Sequence, residues 1–108
     1  MNVLIFYNYN FGIEDVKECF EKKEYKFKMV WSEQLDQRKC TEFDDVFEKE
    51  FDDGIDGRAF DCVFTFNYSP VVSNNCNKRS VPYISIVYDS PQILLYSYTI
   101  INPCNYVF

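Results

Sequence analysis

The stretch Tyr25-Lys26-Phe27-Lys28-Met29-Val30-Trp31, YKFKMVW, decides which fold this chain adopts. Tyr25, Phe27 and Met29 alternate with Lys26 and Lys28, the pattern of a strand with one apolar and one wet face. A strand carrying lysines on one face belongs at the border of a sheet, where its charges also discourage further pairing. The other strand candidates read differently. Residues 2–9, NVLIFYNY, residues 61–66, DCVFTF, and residues 81–88, VPYISIVY, are runs rich in apolar side chains, as expected of strands buried on both faces of a parallel sheet.

Helical patterns fall between them. Residues 13–22, IEDVKECFEK, put Ile13, Val16 and Phe20 on one stripe. The polar segment SEQLDQRKC reads as a loop, after which Thr41 leads into FDDVFEKEF, where Phe43, Val46, Phe47 and Phe51 recur at helical spacing and Gly54 and Gly57 close the helix. Residues 70–79, PVVSNNCNKR, predict only a short or irregular helix, because Asn and Ser favour turns and caps. Pro91 suits the first turn of a further helix, with Ile93, Leu94, Tyr96 and Tyr98 on its buried side up to about Thr99. Asn102-Pro103 ends it, and Tyr106-Val107-Phe108 starts a fifth strand that is expected to be cut off at Phe108.

Strands alternating with helices imply right-handed βαβ units and a three-layer α/β fold, Rossmann-like or flavodoxin-like, over a single domain spanning residues 1–108. With residues 25–31 at the border, the strand order is 2-1-3-4-5; the order 3-2-1-4-5 would bury the two lysines.

Composition narrows the function. A hydrophobic content of 47% with 19% aromatics supplies enough apolar surface to exclude disorder. The net charge of -6 argues against a nucleic-acid partner, which would need clustered basic residues. No stretch approaches the roughly 20 apolar residues of a membrane span, and MNVLIFYNYN lacks the features of a secretory signal, so the cytoplasm is the expected location. The five cysteines, at positions 19, 40, 62, 76 and 104, contain no CxxC pair and fit reduced thiols. Histidine is absent, which removes the commonest metal ligand and general base; no metal site is expected, and any proton transfer falls to a carboxylate. The NYNFG after the first strand has no GxGxxG or GxxxxGK[ST] pattern, so no cofactor phosphate has a cradle in this chain. A phospho-acceptor receiver needs acidic residues where Asn8 and Asn67 stand.

Ligands of open parallel sheets bind beyond the carboxyl ends of the strands, near the point where strand order reverses. Three segments reach that edge: Asn8-Tyr9-Asn10-Phe11-Gly12, Asn67-Tyr68-Ser69-Pro70 and Tyr88-Asp89-Ser90-Pro91. Each joins an aromatic ring to an amide, hydroxyl or carboxylate, a combination suited to a sugar, whose apolar face packs on rings while fixed polar groups orient its hydroxyls. The candidate substrate-binding residues are therefore Asn8, Tyr9, Asn10, Gly12, Asn67, Tyr68, Ser69, Tyr88 and Ser90, with Asp89 the candidate catalytic base. The same residue types also end strands and cap helices for purely structural reasons; Asp89 before Ser90-Pro91 suits a cap, and the two roles are compatible.

The strings FDCVFTFNYSPVVSN, PYISIVYDSPQILLYSYTI and INPCNYVF resemble the N-terminal domain of bacterial glycosyltransferases of the GT-B type, related to the spore-maturation glycosyltransferase-like proteins. The likeness covers most of the chain and is densest from Asp61 onward. It implies two Rossmann-like domains facing across a cleft, of which this chain is the N-terminal, acceptor-side one. The sugar acceptor would meet Asn67 to Pro70, Tyr88 to Pro91 and Asn8 to Gly12, and the nucleotide-sugar donor would bind a C-terminal domain outside this chain. The implied fragment has no transfer activity alone, and its unfinished sheet edge offers a route to self-association. A free-standing flavodoxin-like module binding a small ligand or partner is the alternative that the residues also allow.

Overall fold

A computed structural model describes residues 1–8, 13–86 and 102–108. Among these residues the centre is a five-stranded, all-parallel sheet in the order β2-β1-β3-β4-β5. The strands are β1 (Asn2–Tyr7), β2 (Lys26–Trp31), β3 (Cys62–Phe66), β4 (Tyr83–Ile86) and β5 (Asn105–Val107); the helices are α1 (Ile13–Lys22), α2 (Thr41–Asp53) and α3 (Pro70–Lys78). The expected order and the alternation of elements are both present. The expected helix from Pro91 to about Thr99, and the end of the fourth strand at Val87 and Tyr88, lie outside the described residues.

Among the described residues the lysine-bearing strand is at the edge, paired with β1 alone, in register from Asn2↔Lys26 to Tyr7↔Trp31. Its lysines have specific counter-charges: Lys28 Nζ lies 2.6 Å from Glu50 on α2, and Lys26 Nζ lies 2.9 Å from Asp56 in the turn after it. The neighbouring β1 has the opposite character, with Val3, Leu4, Ile5 and Phe6 all buried. Continuous burial is what a central parallel strand requires, since helices cover both its faces.

Alternation along the strands divides the interior into two cores. Leu4, Phe6, Val63 and Tyr83 pack on the side of α2 and α3, with Phe43, Phe47, Val71 and Val72. Val3, Ile5, Cys62 and Phe64 form the smaller core on the side of α1, where Phe20 meets Phe27 and Phe64 edge-on.

In α2 the residues Phe43 and Phe47 are fully buried and Phe51 partly so, a stripe at steps of four. Val46, which the spacing assigns to the same stripe, is 39% exposed. The reason is lateral. α3 packs on the opposite flank of α2, where Asn75 donates to Asp44 at 2.8 Å and Arg79 pairs with Asp52 at 3.0 Å. Arg79 also lies over the rings of Phe47 and Phe51. The N-cap of α2 is Cys40, whose Sγ accepts from Phe43 N at 3.4 Å, with Thr41 the first helical residue.

α3 is a nine-residue α-helix, more regular than its composition predicts, and it is buried along most of its length. Its polar side chains have found partners inside the molecule. Asn75 donates to Asp44 Oδ1 and to Val71 O, and Ser73 donates to Asn105 Oδ1 at 2.6 Å. Asn102 donates to Ser73 and to Asn74. Groups that would otherwise compete with the helix are thus occupied in joining it to α2 and β5.

Candidate functional site

All five strands run parallel, so their carboxyl ends share one edge, and the order reverses between β1 and β3. The crevice rule for such sheets selects the ends of these two strands. β1 ends in Tyr7 followed by Asn8, and β3 ends in Phe66 followed by Asn67. The register Phe6↔Thr65 makes the two ends neighbours, so the sequence delivers an aromatic-then-amide pair to each side of the reversal point.

Asn67 is held in an unusual conformation, with φ of 62°. Asparagine tolerates this left-handed region better than most residues, which is one reason for an amide here. Both its backbone groups are fixed: its N–H donates to Ile86 O at 2.8 Å, and its carbonyl accepts from Thr65 Oγ1 at 2.8 Å. The end of β3 is therefore tied to the end of β4, and Asn67 is half-buried on this fixed backbone.

The next two residues have structural roles. Tyr68 and Ser69 are each 1% exposed. The Tyr68 hydroxyl accepts from Asn105 Nδ2, and Ser69 Oγ donates to Leu35 O at 2.7 Å. Behind them, the fully buried Tyr83 hydroxyl bonds to Thr65 Oγ1 and accepts from Ser69 N at 2.9 Å. Burial holds the Tyr83 phenol well above its ordinary range, so it stays a neutral hydroxyl linking β3, β4 and the start of α3. The structure thus presents Asn8 and Asn67 at the edge and turns Tyr68 and Ser69 inward. Tyr9, Asn10, Gly12, Tyr88, Asp89 and Ser90 lie outside the described residues.

Rings that the sequence reading did not assign to the edge also reach it. Tyr7 is in register with Trp31 at the end of β2, and Ser32 N donates to Tyr7 O at 2.9 Å, holding the two strand ends together. Trp31 is 58% exposed. The signal for it was the last position of the edge strand: a large ring placed where the sheet no longer covers it. One hollow, lined by Val81, Pro82, Pro103 and Tyr106, opens near the starts of β4 and β5.

Among the described residues no helix is long and apolar enough to cross a membrane. The sheet and its helices define the class: a Rossmann-like parallel α/β unit with an amide-bearing carboxyl edge. No protein-family model, curated protein or solved structure matches the chain.

Proposed function

We propose that the chain is the acceptor-side domain of a glycosyltransferase, holding a sugar acceptor against the carboxyl edge of its sheet. The observation that carries this reading is the pair Tyr7-Asn8 and Phe66-Asn67 on adjacent strand ends at the reversal point. An aromatic ring followed by a fixed amide provides both an apolar face and directed hydrogen bonds, which is what a pyranose needs. The sequence carries no glycine-rich phosphate loop, and in this reading the nucleotide-sugar donor would bind a second domain outside this chain. In this reading Asp89, which comes after β4 in the sequence, takes the proton from the acceptor hydroxyl as that oxygen bonds the donor's anomeric carbon and the anomeric C–O bond to the nucleotide breaks, the nucleotide leaving with that oxygen.

The test is a titration of the isotope-labelled chain followed by amide NMR. Methyl pyranosides at millimolar concentration are expected to shift the Asn8 and Asn67 amides, with no response to a nucleotide sugar. Silence toward every saccharide would overturn the proposal. A response of the same amides to free nucleotide but not to sugars would instead assign the edge to a free-standing small-ligand module.

A further inference from the structure

Burial on the α1 side of the sheet falls off in step as the strands approach their carboxyl ends. On β1, Val3 and Ile5 are 2% and 0% exposed while Tyr7 is half-buried; on β3, Phe64 is 5% exposed while Phe66 is half-buried. On β2, Phe27 and Met29 pack against the core and Trp31, two residues on, is 58% exposed. Strand alternation puts Trp31 on the face of Phe27 and Met29, and Tyr7 on the face of Val3 and Ile5. Trp31 and Tyr7 are registered partners, and Phe66 follows Thr65, the partner of Phe6.

Three rings therefore occupy one level of three adjacent strands, immediately before the Asn8 and Asn67 amides. With strands about 4.8 Å apart, the row spans roughly 10 Å, room for one or two sugar rings. Trp31 is the most open of the three and has the largest ring face.

Resting on the acceptor-binding reading above, we infer that Trp31 is the platform on which the acceptor's apolar face stacks, with Tyr7 continuing that floor toward the two amides. This gives the site a substrate preference. Pyranosides with a continuous face of C–H groups are bound, and acyclic polyols, which have the same hydroxyls without such a face, are not.

Trp31 is the only tryptophan in the chain, so its emission reports on the site directly. Methyl β-galactopyranoside and N-acetylglucosamine are expected to change the intensity or wavelength of that emission, and mannitol is not. Because the side chain is largely exposed, Trp31→Ala should melt with the wild type while weakening pyranoside binding, read at the Asn67 amide, by about tenfold. Trp31→Phe should retain most of the affinity. If the amides respond to pyranosides with equal affinity in Trp31→Ala, or respond while the tryptophan emission does not, the platform is refuted and the acceptor-binding reading stands. Silence of both amides and emission would refute the two together.

Discussion

At the scale of the residue, the clearest constraint outside the site is Gly54, which ends α2 with φ of 65°. A Cβ built there would sit 2.3 Å from the Arg58 carbonyl oxygen. That carbonyl cannot move away freely, because it accepts from Ile55 N at 2.9 Å while Arg58 N donates back to Ile55 O at 2.9 Å. Asp56 and Gly57, both at positive φ, form the tight turn between them. Gly54→Ala therefore combines a left-handed backbone with a backbone clash, and a loss of about 2 kcal/mol is expected. Urea unfolding of the two proteins measures it. Gly57→Ala is the control: its Cβ would meet nothing within 4 Å, so only the φ of 76° opposes it and the loss should be smaller.

At the scale of the element, α3 shows what a sequence pattern can and cannot convey. Asn75 is 5% exposed, and its Nδ2 makes two 2.8 Å bonds, to Asp44 and to Val71 O. Asn75→Ala would strip the Asp44 carboxylate of a donor and open a gap between α2 and α3. The expected cost is about 1 to 2 kcal/mol, with the unfolding midpoint in urea falling at unchanged m-value. No local rule reveals that partner, since Asp44 lies thirty-one residues away and only the packing of α3 on α2 joins them. The edge strand is the opposite case. Lys26 and Lys28 alternate with apolar residues in a pattern visible in seven residues, and that pattern alone separates 2-1-3-4-5 from its rival order. Identities facing the edge followed the same division. Asn8 and Asn67 were legible as strand-end amides, whereas the inward turn of Tyr68 and Ser69 depends on Tyr83, Leu35 and Asn105 arriving from distant positions.

At the scale of the whole molecule, burial of weak acids makes the fold sensitive to base. Desolvation, with a smaller contribution from the Asp61 charge, pushes the Cys62 thiol up to about 11 from an ordinary 9.0, against a lowering by the N-terminal amine. Burial also raises Cys76 and Cys104, and it raises the Tyr83 phenol. For each group the folded state retains its proton where the unfolded chain has already released it. For Cys62 this stability is fully present below its ordinary 9.0 and is lost as pH rises through about 11, because the unfolded state then binds fewer protons and the slope of unfolding free energy against pH is negative. The net charge of -6 adds general repulsion in the same range, so the wild-type curve alone would not isolate the buried acids. Cys62→Ala separates the two. Its starting stability is lowered by the lost sulfur packing, but between pH 9 and 11 its melting temperature should fall less steeply than that of the wild type. Parallel curves across that interval would show that the Cys62 thiol does not couple to folding. In the native protein at pH 8, a thiol reagent should label the exposed Cys19 first and reach the fully buried Cys76 only as fast as the molecule opens.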